Sequence, residues 1–168
     1  VFILPNNGNI IMAAQQFAHL TEKEIIVIPS KTVPQGITAM MNADFECGDP
    51  QEMAQAMTAS LATVSTAQIT YAARDSDFDG FAIHQGDYLA LRDGKLFGTD
   101  PDENALLRAL AESAAQSDPS FLSLYYGEDV TEEQAAEASA IFQAACPNAE
   151  LSVLCGGQPV YYYIISVE

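Results

Sequence analysis

The 168-residue sequence is poor in basic residues. Six Lys and Arg residues stand against 23 Asp and Glu residues, which gives a net charge of −17 at neutral pH. A charge of this sign repels phosphate backbones and anionic lipid surfaces, so nucleic acid is excluded as a favoured partner. The same charge favours a partner with a basic face, although an acidic surface can also serve only to keep a protein soluble.

Long hydrophobic runs are also missing. No apolar run approaches the ~20 residues that a membrane-spanning helix requires, so we expect no membrane insertion. Residues 1–4 lack the basic region and the cleavage site of a signal peptide. The apolar fraction of 49% is nevertheless too high for a disordered chain. Because the chain opens on an apolar run without an initial Met, we expect a fragment of a longer protein.

Cysteine and histidine are too sparse for a disulfide framework or a zinc site. Cys47, Cys146 and Cys155 are odd in number and form no CxxC pair, which predicts reduced thiols in a cytoplasmic protein. The two histidines, His19 and His84, lie in dissimilar contexts without partners at ligand spacing. We interpret His19 as a helix C-terminal residue and His84 as a structural strand residue.

The motifs of several enzyme classes are absent from the sequence. It contains no Gly-x-Ser-x-Gly elbow, no Gly-x-x-x-x-Gly-Lys-[Ser/Thr] loop and no Gly-x-Gly-x-x-Gly loop. We therefore expect no catalytic residue, no metal and no cofactor in this chain. An enzyme in its own right, such as a phosphatase, is the weakest of three hypotheses.

One acidic motif resembles half of a calcium site. Asp75-Ser76-Asp77-Phe78-Asp79-Gly80 matches the opening of an EF-hand loop, but Gly86 occupies the position that needs a bidentate Glu. Neither flank has a helical pattern. This segment predicts a solvated acidic turn rather than a calcium site.

Strand-like and helix-like segments alternate along the chain. The apolar runs 1–4 and 24–29 flank a helical pattern that Asn9 is expected to cap, which predicts a β-α-β unit. We expect two α/β sub-lobes in one compact domain, residues 1–66 and 67–168, with mostly parallel sheets and an antiparallel β-hairpin insertion. Two C-terminal runs, 151–155 and 161–168, are expected to be buried strands.

Local turn and cap signals are clearest in the second sub-lobe. Asp93-Gly94 between two apolar runs predicts a hairpin with a type I′ turn. Thr131 followed by Gln134 predicts a capping box at the start of a helix.

Two sets of residues are candidates for binding. Ser30-Lys31-Thr32 follows the second strand, where ligands of α/β proteins bind, and an anion or ligand pocket is possible between the lobes near Lys31 and Arg74. A simple strand-to-helix loop is the alternative. The tyrosine pairs and triplets near residues 125 and 161 have the composition of a binding face, yet alternation places half of them in the core.

Ordered segments along the whole chain resemble one protein family. It is similar to the C-terminal domain of the dihydroxyacetone-kinase-like large subunit of bacterial fatty acid kinase, a domain that is itself DegV-like. The matching segments are 4–7 with 9–14, 28–36, 70–75 with 79–80, 125–130, and 156–159 with 163–168.

This resemblance implies a DegV-like fold and a role in a larger complex. In the family, a separate kinase domain of the parent protein uses ATP and magnesium to phosphorylate a fatty acid, and a DegV-family protein carries that acid. The resemblance thus implies docking of the carrier, for phospholipid synthesis, without catalysis by this domain. A homodimer through exposed edge strands is also possible.

The chain departs from the lipid-carrying DegV proteins in one loop. Those proteins are expected to hold the ligand carboxylate with a His-Thr-Gly-Pro-Gly-like loop, and Gly156-Gly157-Gln158-Pro159 stands here instead. We expect that fatty acid binding has been lost, with a small-ligand module as the alternative. The expected docking residues are exposed acids and one aromatic residue: Asp75, Asp77, Asp79, Glu128, Asp129 and Tyr161.

Overall fold

A computed structural model describes residues 1–78 and 81–168 of the chain. These residues divide into two compact units, 1–64 and 65–168. The sequence placed the division at residue 66, which falls inside a strand that begins at Ser65. Asp79, one of the expected docking residues, lies with Gly80 outside the described residues. None of the helices in the described ranges is long and apolar enough to cross a membrane.

Unit 1 contains the β-α-β arrangement that the sequence predicts. Two short strands pair in parallel, with Phe2 opposite Ile26 and Ile3 opposite Val27. The strands are shorter than the apolar runs that predicted them. The elements of unit 1 are β1 (Phe2–Ile3), α1 (Gly8–Ala18), β2 (Ile26–Val27), α2 (Val33–Met41), α3 (Pro50–Ser60) and a 3₁₀ turn (Leu61–Thr63).

The helices of unit 1 begin at side-chain caps. Asn7, rather than Asn9, caps α1, because Asn7 has extended backbone angles and its side chain accepts the N–H of Asn9 at 2.9 Å. Asn9 already lies in the first turn. His19 is the C-cap residue of α1, as the sequence predicts. Asp49 caps α3 by accepting the N–H of Gln51 at 2.8 Å.

A small core holds unit 1 together. Ile28, directly after β2, has no exposed surface, and it packs with helix residues of α2 and α3. Burial of each large apolar side chain contributes about 1.5–3 kcal/mol to stability. The fully or nearly buried members of this core are Ile28, Ala39, Ala54, Met57 and Leu61.

Unit 2 is built on a six-stranded sheet with two helices. Its elements are β3 (Ser65–Tyr71), β4 (Ser76–Phe78), β5 (Phe81–Ile83), β6 (Tyr88–Arg92), β7 (Lys95–Asp100), α4 (Glu103–Ala115), β8 (Phe121–Tyr126), α5 (Glu132–Ala145), β9 (Glu150–Cys155) and β10 (Tyr163–Val167). The strand order in the large sheet is β7-β6-β3-β10-β8-β9, and β4 pairs with β5 in a separate hairpin.

The predicted α/β class and the antiparallel hairpin are confirmed. Parallel pairing, however, is limited to β1 with β2 and β8 with β9 in the described residues. The helix α5 connects β8 to β9 and returns the chain to the same direction. The other neighbours in the six-stranded sheet are antiparallel, because β6 and β7 form a hairpin and β10 runs opposite to both β3 and β8.

The two C-terminal strands differ in burial, contrary to the expectation that both are buried. All five residues of β10 are buried, because this strand lies in the middle of the sheet between β3 and β8. β9 is the outermost strand and pairs only with β8, so most of its residues are exposed.

The core of unit 2 lies between one sheet face and the helices α4 and α5. Leu107 and Phe142 come from these helices, and Leu124, Tyr163 and Ile165 come from the central strands. Each of these five side chains has at most 1% of its surface exposed. Every second residue of β8 and of β10 belongs to this core, and this alternation fixes which face of the sheet meets the helices.

The turn between β6 and β7 has the predicted geometry. Asp93 and Gly94 both have positive φ angles, 50° and 78°, as a type I′ turn requires. The Asp93 carboxylate also accepts the N–H of Thr66 and the hydroxyl of Ser65, at 2.8 and 2.9 Å. Asp93 thus joins the turn to the neighbouring strand β3.

The capping box of α5 is confirmed and gives a stability test. Thr131 Oγ1 accepts the N–H of Gln134, and the Gln134 side chain accepts the N–H of Thr131. We expect Thr131→Ala to lower the free energy of unfolding by about 1 kcal/mol, measured by urea denaturation. Ser139→Ala, in the interior of the same helix, is the control and should be neutral or slightly stabilising. An equal loss in both variants would contradict the role of the cap.

Candidate functional site

One end of the six-stranded sheet gathers most of the tyrosines. β3, β7, β8 and β9 end there, and β6 and β10 begin there, as the strand registers show. Tyr71 lies opposite Tyr88, and Tyr163 lies opposite Tyr126. We call this region the tyrosine end, defined by Tyr71, Tyr88, Tyr126, Tyr162 and Tyr163.

The expected docking residues of the described ranges lie at this same end. Asp75 follows β3 and Asp77 lies in the adjoining strand β4. Glu128 and Asp129 follow β8, and Tyr161 precedes β10. The four carboxylates are exposed, and Tyr161 is half-buried. Sequence analysis selected these residues from three separate segments, and the topology of the sheet brings the segments to one end.

The loop 156–162 is fastened to the end of β8. The Gln158 side chain donates to the carbonyl oxygens of Tyr125 and Tyr161, at 3.1 and 3.3 Å. The N–H of Gly127 donates to Tyr162 O at 2.8 Å, and the N–H of Glu128 donates to Gln158 O at 3.1 Å. These bonds fix the backbone on which Glu128 and Asp129 stand.

Gly127 is required at this point for steric reasons. A Cβ added there would meet the carbonyl oxygens of Tyr161 and Gln158, the latter at 2.7 Å. Both oxygens belong to the backbone, so rotation of a side chain cannot relieve the clash. The close approach of the two loops thus depends on glycine.

Three rings of the tyrosine end form a row. Tyr162 meets Tyr71 edge-on, with ring centroids 6.3 Å apart and planes at 69°. It meets Tyr88 in the same way, at 5.4 Å and 64°. Such edge-to-face pairs are favourable beyond the area they bury. Tyr88 and Tyr162 also pack against the core, whereas 46% of the Tyr71 surface is exposed.

Carboxylates act on the two inner rings of the row. Burial raises the pKa of Tyr162, and the charges of Asp129 and Glu103 raise it further, with contributions from the neighbouring tyrosines. Burial also raises the pKa of Tyr88, followed by the charges of Glu103 and Asp102. Tyr162 and Tyr88 therefore stay protonated at neutral pH and lie in a field of negative charge.

Glu103 is itself in an unusual position. It is the first residue of α4, and its Oε1 atom is buried without a hydrogen-bond partner in the described structure. Burial raises the pKa of Glu103, and the neighbouring charge of Asp102 adds to the effect. The sequence did not predict a role for Glu103, because an acid in the first turn of a helix is typical of a solvated, dipole-stabilising residue.

The predicted anion pocket of unit 1 is partly taken up by internal bonds. Ser30 is fully buried; its hydroxyl donates to Asn6 Oδ1 at 2.8 Å and accepts the Asn6 N–H at 3.1 Å. Thr32 caps α2 by accepting the N–H of Gln35. Lys31 is exposed and lies in this loop, while the exposed Arg74 belongs to unit 2.

A groove next to this loop was not predicted. It has a volume of about 420 Å³ and is lined by Leu4, Asn6, Gly36, Ile37, Met40 and Met41. α2 buries its small residues Gly36 and Ala39 and exposes Met40 and Met41. This inverted pattern, with small residues inward and large apolar residues outward, was the signal available in the sequence.

The described part of the acidic turn, residues 75–78, belongs to no metal-binding group. Asp75 is exposed, and its Oδ1 atom accepts the N–H of Gln85 at 2.7 Å. In the described ranges, no group of three or more His, Cys, Asp or Glu side chains could hold a metal ion. The cysteines Cys47, Cys146 and Cys155 are free thiols.

A family model and several curated proteins match the whole chain. The model for the C-terminal region of FakA-like fatty acid kinase proteins matches residues 1–168. Protein YloV of Bacillus subtilis is 35% identical over 172 residues, which is 100% of this chain and 30% of that protein. An uncharacterised protein of Staphylococcus aureus is 35% identical, over 99% of this chain and 30% of its own length. The chain thus spans about 30% of the length of these relatives.

Solved structures of low sequence identity share the fold. A DegV family protein from Corynebacterium glutamicum superposes with a TM-score of 0.70 at 16% identity, over 99% of this chain and 73% of that one. The Fak B3 protein of Streptococcus pneumoniae, loaded with linoleic acid, has a TM-score of 0.64 at 13% identity, over 99% of this chain and 70% of that one. The dihydroxyacetone kinase of C. freundii, in complex with AMP-PNP and Mg²⁺, has a TM-score of 0.61 at 10% identity, over 99% of this chain and 38% of that one. The DegV-like fold is confirmed.

The raised pKa of Glu103 predicts a pH-dependent stability. The folded state binds the proton of the Glu103 carboxyl more tightly than the unfolded state, in which the pKa of Glu103 is close to 4.5. The stability that protonated Glu103 contributes is therefore complete below pH 4.5 and is lost as the pH rises through the higher pKa of the folded state. We expect Glu103→Gln to raise the melting temperature at pH 7 and to have less effect near pH 4.

Thermal unfolding followed by circular dichroism from pH 4 to 8 measures this difference. Glu112→Gln, an exposed acid of the same helix, is the matched control. This control should follow the pH dependence of the unsubstituted chain. A Glu103→Gln variant that is less stable at pH 7 would contradict the assignment.

Proposed function

Because the chain belongs to the FakA-like C-terminal family of fatty acid kinase proteins, we propose that it is the non-catalytic docking domain of a fatty acid kinase large subunit. Its partner is a DegV-family fatty-acid-binding protein. The partner presents the carboxylate of its bound acyl chain to a kinase domain elsewhere in the parent protein. ATP and magnesium are assigned to that kinase domain, since the sequence here contains no phosphate-binding loop.

The main support for this proposal is that exposed acidic residues converge at the tyrosine end. Asp75, Asp77, Glu128 and Asp129 come from separate segments, and the sheet brings these segments to one end. Glu128 and Asp129 stand on a loop that is fixed by backbone hydrogen bonds from Gly127 to Tyr162 O and from Glu128 to Gln158 O. A fixed, exposed cluster of one charge steers a partner of opposite charge and raises the rate of association.

Docking alone is sufficient for a role in catalysis. Holding two reactants together converts a bimolecular encounter into an effectively unimolecular step, which can lower the barrier by several kcal/mol, with an upper range of about 7–11 kcal/mol. The docking domain needs no reactive group for this effect. The net charge of −17 favours a carrier with a basic face over nucleic acid or anionic lipid.

Charge reversal tests the docking surface. We expect the double substitution Glu128→Lys and Asp129→Lys to weaken carrier binding by about tenfold or more, because two attractions become repulsions. Isothermal titration with the DegV-family protein of the same organism measures the affinity. In the unsubstituted chain the affinity should fall as the salt concentration rises.

The matched control carries the same change of charge at the other end of unit 2. Glu112 lies late in α4 and Glu150 begins β9, and both are exposed. The double variant Glu112→Lys and Glu150→Lys should bind nearly as the unsubstituted chain does. Equal loss in both double variants, or an affinity unaffected by salt, would refute the proposed surface, and absence of any carrier binding would refute docking itself.

A second candidate function is binding of a small apolar carboxylate. The groove of about 420 Å³ beside α2 favours it, with Lys31 in the adjacent loop. Against it, the Gln158 amide is bound to Tyr125 and Tyr161, in the loop that replaces the one expected to hold a carboxylate. The first proposal holds that fatty acid binding has been lost.

Linoleic acid separates the two candidates. Under the first proposal, it should not raise the melting temperature of the chain, and the purified chain should carry no stoichiometric lipid. Under the second, it should stabilise the unsubstituted chain and Met12→Gln, an exposed methionine of α1, but not Met40→Gln in the groove. Stabilisation with this pattern would replace the first proposal.

A further inference from the structure

The row of Tyr71, Tyr162 and Tyr88 has an exposed outer member. Tyr71 is at the end of β3 with 46% of its surface exposed, and Tyr162 contacts it edge-on. Tyr88 and Tyr162 are anchored in the core, so the inner part of the row is fixed. An exposed tyrosine backed by fixed rings presents an electron-rich surface to solvent.

Carboxylates flank this row on both sides. Asp100 lies opposite Tyr88 in the register of β6 and β7, so Asp102 and Glu103 follow close to that ring at the start of α4. The N–H of Gly127 donates to Tyr162 O at 2.8 Å, so Asp129 follows close to Tyr162 in the loop after β8. The carboxylate charges of Asp102, Glu103 and Asp129 raise the pKa of Tyr88 or of Tyr162. In the described structure, the buried Oε1 atom of Glu103 has no hydrogen-bond partner. Aromatic rings and a carboxylate oxygen without a hydrogen-bond partner therefore occur together.

We propose that Tyr71, Tyr162 and Tyr88, together with Glu103 and Asp129, form a binding site for the guanidinium group of an arginine on a basic partner protein. A cation over an aromatic ring is attracted by the ring quadrupole, and adjacent carboxylates add to the attraction. The identity of this partner depends on the proposed function, in which the partner is the carrier protein. The site then defines where an arginine of the carrier's basic face binds.

Arginine fits this site better than lysine. The guanidinium is planar, stacks on tyrosine rings and donates several hydrogen bonds to carboxylates at once. Because the guanidinium is weakly hydrated, its transfer from water to a position beside partly buried rings also costs less free energy. A lysine ammonium is a compact, strongly hydrated charge and cannot match a flat ring and two carboxylates in the same way.

Small probes test the site without the carrier. The chain is labelled with ¹³C in its tyrosine rings and titrated with n-butylguanidinium, n-butylammonium or the neutral analogue n-butylurea, with ring shifts followed by NMR. We expect saturable shifts of Tyr71 and Tyr162 with n-butylguanidinium, smaller ones with n-butylammonium and none with n-butylurea. The ring of Tyr125, which alternates to the opposite face of β8 from Tyr126, is the internal control and should not shift.

The outcomes decide the assignment of the ligand. Equal shifts with the urea would show packing without charge recognition and would overturn the proposal. Shifts with n-butylammonium as large as those with n-butylguanidinium would overturn the choice of arginine. Glu103→Gln should reduce the shifts caused by n-butylguanidinium, whereas Glu112→Gln should leave them unchanged.

The carrier provides the second readout. We expect Tyr71→Leu to weaken carrier binding about tenfold, the upper part of the range for a cation–aromatic contact. Tyr125→Leu, in the same sheet, should change the affinity for the carrier little. Because Tyr71 is exposed, its replacement should leave the fold intact, which circular dichroism checks.

The two proposals can fail separately. If the carrier binds with the expected salt dependence but Tyr71→Leu and Glu103→Gln have no effect, the arginine site is wrong and the docking function stands. If the carrier does not bind but n-butylguanidinium still shifts Tyr71 and Tyr162, the cation site stands and the docking function is wrong.

Discussion

The pairing of β10 with both β3 and β8 is the constraint on which unit 2 depends. This strand is buried along its whole length and is hydrogen-bonded on both sides. Without it, the sheet would separate into β7-β6-β3 and β8-β9. The same pairing brings the end of β3, the end of β8 and the loop before β10 together, so the candidate site is a direct product of the sheet topology.

Electrostatics at the tyrosine end oppose stability. Acidic side chains of the loops and of the start of α4 lie close to buried rings, and the carboxyl of Glu103 is raised in pKa by burial. A fold selected for stability alone would not leave a carboxylate oxygen buried without a partner. Under the proposed function, the partner of this oxygen belongs to the carrier protein, and local rules of stability are broken most often at such functional sites.

Features set by neighbouring residues could be predicted from the sequence, and features set by distant pairings could not. Asp93-Gly94 and Thr131 with Gln134 each act over two to four residues, and the structure confirms them. Strand directions depend instead on pairings such as Tyr163 with Ile69. The docking acids were chosen from their polarity, but their convergence follows from those distant pairings. Glu103 and the α2 groove were missed, because their burial and exposure run against the usual patterns.

The long sequence separation between β3 and β10 has a consequence for folding. Their pairing joins residues 94 positions apart, as between Ile69 and Tyr163. Until β10 pairs with its neighbours, β3 and β8 each present an open edge of unpaired backbone groups. Such an intermediate can recruit the same strand from another molecule, so high concentrations during refolding favour exchange of β10 between copies or aggregation.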